Sequence, residues 1–276
     1  MNTVVAPEPR ASLTFRVVPP GMYAGRGHVV LERAFKVYRR AWMLIFSGFF
    51  EPLFYLFSFG TGLHSLVGTV IGPGGHPVKY TVFIAPALLA SSAMNGAIYD
   101  STMNVFFKMK YGKIYDGMLA TSLGPMDVAM GEISWALIRG GLYSTGFLVV
   151  MVVMGLTGSW WAAAMLPAAL LIAFAFGALG MAVTTFMRTI QDLDMIQVVV
   201  LPMFLFSGTF YGLGVYPRWL QIVIECLPLN QGIELLRGLN AGVLTASMIG
   251  NVAYFVAMAA VGVTIAARRL DKLLLR

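Results

Sequence analysis

Residues 202–238 read PMFLFSGTFYGLGVYPRWLQIVIECLPLNQGIELLRG. An apolar stretch ends in Ser207-Gly208 and aromatics, and two short helix-like pieces follow, each preceded by a proline. Pro217 suits the first turn of a helix running to Leu227. Eleven residues at 1.5 Å rise reach about 16 Å, half a bilayer core. Pro228 stops that piece. Asn230 is placed to cap a second one ending at Gly238, a common C-terminal breaker. Such pieces are too short to cross a bilayer and too apolar for water. Irregular backbone at membrane depth survives only when buried in protein or lining a cavity. The stretch 215–238 therefore implies a membrane protein with a re-entrant helical hairpin packed over the outer ends of its spans. A loop resting on lipid is the alternative.

Composition points the same way. The chain has 276 residues, 58% hydrophobic and 11% charged, with mean hydropathy +0.79. A soluble domain carries about 25% charged residues. The bilayer must be the solvent, and the length suits about six spans of roughly 20 apolar residues. The spans are expected at 42–63, 80–104, 134–156, 161–186, 194–214 and 247–267. The fold class expected is all-α and polytopic. The first 40 residues hold no apolar segment of the kind a cleaved signal needs, so the first span is expected to stay as an anchor. Cys226 is the single cysteine, and His28, His64 and His76 are scattered, which excludes an internal disulfide and a cysteine metal cluster.

Charge sets an orientation. Sixteen of the 19 Lys and Arg fall in 1–41, at Lys108, Lys110 and Lys113, at Arg139 and Arg188, and in 268–276. Lys79, Arg218 and Arg237 lie on the other side. By the positive-inside rule both termini are cytoplasmic, as an even span number requires. Trp42, Trp135, Trp160, Trp161 and Trp219 fall at expected span ends or in the outer loop, where an indole can be half apolar and half wet. The basic excess thus reads as membrane orientation. Nucleic-acid binding would need a basic stripe on a soluble fold.

Residues 1–24 read as a flexible cytoplasmic N-terminus. Residues 25–41 form an amphipathic helix with Val30, Ala34, Val37 and Ala41 in one stripe, and Arg33, Lys36, Arg39 and Arg40 able to reach lipid phosphates. It is either a juxtamembrane anchor or a lever for a cytoplasmic partner. Residues 108–133 are too long and too aromatic for a mere linker between spans two and three. Tyr111, Tyr115, Met118 and Leu119 share a helical face, which marks a contact surface. Gly124-Pro125 ends that piece, and Asp127–Glu132 begins a second short helix. Within the spans, Glu51 beside Pro52 reads as a wet interior position. Asp100 and Arg139 lie at similar depth and could pair, or Arg139 could snorkel to phosphates. Gly208-x-x-x-Gly212 and Gly177-Ala-Leu-Gly180 are candidate close-packing motifs. Residues 268–276 form a basic cytoplasmic tail.

Catalytic motifs are missing. The sequence has no G-x-x-x-x-G-K-[ST], no H-E-x-x-H and no G-x-S-x-G. No His, Cys and carboxylate cluster has metal spacing, and Gly72-Pro73-Gly74-Gly75 reads as a turn. The chain is expected not to be an enzyme. Uphill transport would draw on a gradient or on another subunit.

Phe206-Ser207-Gly208, Phe210-Tyr211, Pro217-Arg218-Trp219-Leu220, Pro228-Leu229 and Glu234 resemble the outer segment of ABC-2 type transporter permeases. The stretch 115–123, YDGMLATSL, with Asp127 and Gly131-Glu132, is similar to the inner loop of nodulation lipo-oligosaccharide and daunorubicin-resistance exporters. Gly212 stands where the family commonly has proline, and Asn230 replaces the commoner Thr or Ser. The resemblance implies an export permease in the bacterial inner membrane. It would pair with a second permease, identical or not, and with separate ABC ATPase subunits that bind ATP and Mg, the chain itself needing no cofactor. Tyr111, Ile114, Tyr115, Asp116, Met118 and Leu119 would then form the coupling helix, and 25–41 the connecting helix. Glu51, Asp100, Phe206 and Phe210 would line the path or its gate. Pro217, Trp219, Leu220, Pro228, Leu229 and Glu234 would build the outer lid. The substrate would be lipid-like, glycolipid or oligosaccharide, or a drug. A gradient-driven carrier or channel remains the competing reading.

Overall fold

The computed structural model describes residues 25–38, 42–62 and 67–274. Arg39, Arg40, Ala41 and the 1–24 segment lie outside the described residues, as do the side chains of Trp42 and Glu51. The chain runs α1 (Gly27–Tyr38), α2 (Trp42–Gly62), β1 (Thr69–Ile71), β2 (Pro77–Lys79), α3 (Tyr80–Lys110), α4 (Ile114–Leu119), α5 (Pro125–Val153), α6 (Met165–Thr184), α7 (Asp192–Phe206), α8 (Arg218–Glu225), α9 (Pro228–Ala241) and α10 (Ser247–Leu274). Among the described residues, α3, α5, α6 with its leading turn, and α10 are long and apolar enough to cross a membrane.

Several ends differ from expectation for local reasons. The helix α7 stops at Phe206, eight residues early, because Gly208 turns left-handed at φ +74°. Its 15 residues reach about 22 Å, short of a bilayer core. The Gly208/Gly212 pair is therefore a turn and not a packing motif: a Cβ on Gly212 would meet nothing within 4 Å. By contrast Gly180 lies directly against Ser101 of α3. The helix α5 begins at Pro125, so the expected short helix at Asp127–Glu132 is the first turns of that long helix. Asp127 Oδ2 accepts from Gly124 N at 2.9 Å and starts it. Helix α9 has Leu227 at its N-cap with Pro228 next, and runs past Gly238 to Gly242 at φ +74°. Asn230 is buried in its first turns and caps nothing there. The helix α10 continues to Leu274, so much of the basic tail is helical. Trp135 is buried in the bundle.

The glycine turn 72–75 closes a two-stranded antiparallel hairpin pairing Val70 with Val78, a small departure from all-α. At the other end, Asp192 accepts from Arg188 N at 2.7 Å, Thr189 N at 3.1 Å and Thr189 Oγ1 at 3.0 Å, closing the turn before α7.

The helix α6 packs against α3, α5 and α10 and forms the centre. Its contact with α10 turns on Gly262, where a Cβ would lie 2.7 Å from the backbone of Ala178 and Leu179. Backbone cannot yield as a side chain can. Gly262→Leu should therefore lower stability by about 1–3 kcal/mol, the usual cost of overpacking. Gly250→Leu on the same helix meets open space and should be neutral. Thermal melting of both variants in detergent checks this; equal melting temperatures would refute the close crossing.

Candidate functional site

Two places concentrate polar and special geometry: the basic end of α5 and a chamber between α2, α3, α5 and α7. At the basic end, α3 ends in Lys108 and Lys110, and the chain turns at Gly112-Lys113. Lys113 sits left-handed at φ +45°, which only a constrained turn holds in a non-glycine residue. The short α4 follows. Tyr115 is fully buried with Val128, Ala129 and Ile133 of α5. This corrects the expectation that Tyr115 faces outward: its ring anchors α4 to α5. Tyr111 and Asp116 are exposed, and Ile114, Met118 and Leu119 are half-buried. The available surface around α4 is thus Tyr111 just before it, Asp116 and the edges of Ile114, Met118 and Leu119.

The helix α1 seats on the same stretch. Val30 and Ala34 are buried, while Phe35 and Val37 are exposed. The crossing is tight at Gly131, whose Cβ would lie 2.9 Å from Gly27 O and 2.5 Å from Val30 Cβ. Asp127 serves two segments at once, capping α5 and accepting from Arg26 N at 2.8 Å. Arg26 also bonds Ser122 through its guanidinium. Lys108 Nζ pairs with Glu132 Oε2 at 2.6 Å, joining α3 to α5. Arg33 is exposed. Lys36 bonds Glu32 on its own helix at 2.7 Å, and that bond holds the Glu32 carboxyl below its usual range. The pair is exposed and contributes little. These contacts make α1, α4 and the start of α5 one connected body.

The chamber has a volume of about 610 Å³. It runs from Ser91 and Ser92 in mid-α3 to Asn104 near its basic end. Local backbone builds it. Residues Asp100–Asn104 form a π-helical turn inside α3, a feature frequent at functional sites. Ser101 Oγ and Thr102 Oγ1 donate back to Ala97 O at 2.7 Å and Ile98 O at 2.6 Å. Thr184 Oγ1 donates to Ser101 O at 3.1 Å and ties the turn to α6. The widened turn points Asp100 at Arg139 of α5, Oδ1 to Nη1 at 2.9 Å, with 4% and 10% side-chain exposure. Arg139 pairs rather than snorkels. Asn104 Nδ2 donates to Asp100 at 2.8 Å.

Aromatic rings close the chamber toward the α8–α9 end. Tyr55 of α2 and Phe204 of α7 line it, ring centroids 5.9 Å apart. Behind them Phe210 meets Phe204 at 5.3 Å and Phe59 at 5.0 Å. Phe206 instead is exposed, with Tyr216 at 6.3 Å. The four expected path residues therefore separate. Asp100 stands beside the chamber, Phe210 backs its aromatic wall and Phe206 faces out, while the side chain of Glu51 lies outside the described residues and its neighbour Pro52 lines the chamber.

The expected lid also divides. Helix α9 is core: Leu229, Ile233 and Leu236 are buried. Helix α8 is peripheral, with Pro217, Trp219, Ile222 and Val223 exposed, Leu220 half-buried and Ile224 buried. Pro228 is half-buried and Glu234 exposed. Sequence reasoning missed Arg237. Its Nε donates to Phe83 O and its Nη2 to Thr209 O, both at 3.1 Å, and its guanidinium lies 3.6 Å from the Phe83 ring centre. The signal was present as one Arg in the apolar run ELLRGL.

Comparison with known proteins adds the family. A model for the ABC-2 type transporter family matches residues 27–240. Nodulation protein J of Rhizobium leguminosarum bv. viciae is 33% identical over 190 residues, covering 68% of this chain and 71% of the relative. Nodulation protein J of Rhizobium meliloti (strain 1021) is 31% identical over 195 residues, covering 70% and 72%. That of Bradyrhizobium diazoefficiens is 28% identical over 188 residues, covering 68% and 70%.

Proposed function

The chain belongs to the ABC-2 type transporter family, and from that premise we propose that it is the permease of an ATP-driven exporter whose motor docks on α4 and α1. The protein then has six spans, α2 and α7 included, and α8–α9 forms an outer re-entrant hairpin. Both termini face the cytoplasm of a bacterial inner membrane. A second permease, identical or not, completes the path. ATP and Mg are bound by separate ATPase subunits, and this chain supplies no catalytic group. The cargo leaves the cytoplasm or the inner leaflet and is lipid-like, glycolipid or oligosaccharide, or a drug.

One observation carries the coupling role. The buried Tyr115, the Gly131 crossing and the Asp127 bridge join α1 and α4 to the first turns of α5. A push on α4 is then delivered to a helix that crosses the membrane, and through Lys108–Glu132 to α3. Both helices border the chamber through Asn104 and Arg139.

The test uses the exposed face. Tyr111→Asp combined with Asp116→Arg should reduce co-purification of the ATPase subunit at least tenfold, with the melting temperature of the permease unchanged. Vanadate-sensitive ATP hydrolysis should fall in parallel. If the doubly changed protein keeps its ATPase, the docking face lies elsewhere. Transport by the permease alone in proteoliposomes, driven by an ion gradient, would instead favour the gradient-driven carrier.

A further inference from the structure

The helices α3 and α5 run antiparallel and are fastened at two points. Asp100 pairs with Arg139 at 2.9 Å, and Lys108 with Glu132 at 2.6 Å. Between those points α5 advances from 132 to 139, seven residues, and α3 from 100 to 108, eight residues. Seven residues at about 100° each complete two turns and return to the same face. Eight carry Lys108 about 80° past the face that Asp100 shows. The π-helical turn Asp100–Asn104 lies between the two pairs and takes up the surplus residue. Both ion pairs then face α5 together.

The two sides of this turn are held differently. Its first residues are fixed: Thr184 Oγ1 of α6 donates to Ser101 O, Gly180 of α6 lies directly against Ser101, and Asp100 is held by Arg139. Below the turn, the inner piece Val105–Lys110 runs out into exposed Lys110, Tyr111 and Gly112. Gly112 N donates to Phe107 O at 2.9 Å, a second five-residue step, and the left-handed Lys113 follows. The inner end of α3 therefore has room for the same surplus residue. This piece also reaches the far wall of the chamber. Phe106 forms a buried cluster with Met187 and Leu193, and Leu193 lines the chamber together with Met103 and Asn104.

We propose that the π-helical turn is a one-residue register switch that carries motion from α4 to the chamber. With Lys108–Glu132 engaged, the surplus residue is stored at 100–104. When the motor displaces α4 and parts that pair, the surplus passes to 107–112 and Val105–Lys110 rotates as a body. Phe106 then moves against Leu193 and displaces the start of α7 at the inner end of the chamber. The outer part of α3 stays in place, because Ser101 and Asp100 remain tied to α6 and α5. A packed bundle favours two such discrete registers over gradual bending. The inference rests on the motor-driven function proposed above.

Deletion tests the register. Removing Met103 leaves seven residues between the pairs, so α3 becomes a continuous α-helix with both pairs in phase. This variant should melt within about 3 °C of the wild type in detergent. Removing Leu89, fully buried in the outer part of α3, sets the two sides of the deletion about 100° out of phase and should lower the melting temperature by at least about 10 °C. Spin labels test the movement. Nitroxides on Lys110→Cys and Val183→Cys, both exposed, with Cys226→Ser, report the inner piece against α6. A side chain about 5–6 Å from the helix axis moves by about 7 Å in an 80° rotation, so trapping the permease–ATPase complex with ATP and vanadate should shift the label distance by at least about 4 Å. The Met103 deletion should abolish that shift. Lys108→Met with Glu132→Leu should produce it in the permease alone. The proposal is overturned if the Met103 deletion melts as low as the Leu89 deletion, if the ATP-driven shift survives it, or if the double variant leaves the distance unchanged. A shift in the double variant with none on ATP trapping keeps the switch and counts against the motor reading alone.

Discussion

Arg139→Leu should destabilise the permease by about 3–5 kcal/mol, the range found when one partner of a buried ion pair is removed. Asp100 would stay nearly enclosed, at 4% exposure, with the Asn104 amide still donating to it. The π-helical turn that aims Asp100 is fastened to α6 through Thr184, so the carboxylate cannot readily swing away. Asp100→Leu alone should cost a similar amount, because Arg139 is then the stranded charge. The pair Asp100→Leu with Arg139→Met should recover most of the loss, since removing both charges removes both desolvation penalties. A double-mutant cycle read by thermal melting in detergent should give a coupling of about 2 kcal/mol or more. Additivity within about 0.5 kcal/mol would mean the two groups do not interact. The restored double variant also separates stability from transport. If it melts normally but no longer exports, the ion pair shapes the chamber as well as holding α3 to α5.

The presence of apolar helices was legible in composition, because nothing but a bilayer accommodates such a chain. Their ends were less so. Apolar residues continue past Phe206, so composition extended the helix to 214, whereas one left-handed glycine ends it. At α5 the error ran the other way. Asp127 and Glu132 looked too polar for a span, yet they are the polar first turns of the same helix. Periodicity placed Tyr115 on an apolar face but could not say whether that face looked outward to a partner or inward to α5. Depth brought Asp100 and Arg139 level without deciding between pairing and snorkelling. The π-helical turn left no trace in the sequence, since a five-residue hydrogen-bond step needs no special composition. Gly131 and Gly262 were hidden for a related reason: a glycine signals a close approach only when its neighbour is known.

Arg237→Leu should loosen the turn after α7 far more than it loosens the core. The guanidinium bonds α9, α3 and the turn together, through Phe83 O, Thr209 O and the Phe83 ring. Hydrogen bonds from a charged donor contribute about 1.5–3 kcal/mol, and a half-buried cation over a ring adds about 0.5–2. Phe83 O belongs to a helix, but Thr209 O lies in a loop next to Gly208, with fewer alternatives. A local loss of about 2–3 kcal/mol corresponds to roughly 30- to 140-fold faster opening, at about 1.4 kcal/mol per decade. Amide hydrogen exchange by mass spectrometry should therefore speed up by that factor in peptides covering 207–216, while α6 peptides hold their rate. Arg237→Lys keeps the charge but not the fork that spans two carbonyls, so it should fall between the wild type and Leu. The consequence bears on Phe210, which precedes Tyr211 in that turn and backs the chamber's aromatic wall. A turn freed from Arg237 should let that wall part without the motor, seen as ATP-independent passage of a small uncharged solute into proteoliposomes. Unchanged exchange in 207–216 would show that α9 holds the turn without its arginine, and a uniform rise across α6 would show that Arg237 supports the whole fold and not that turn alone.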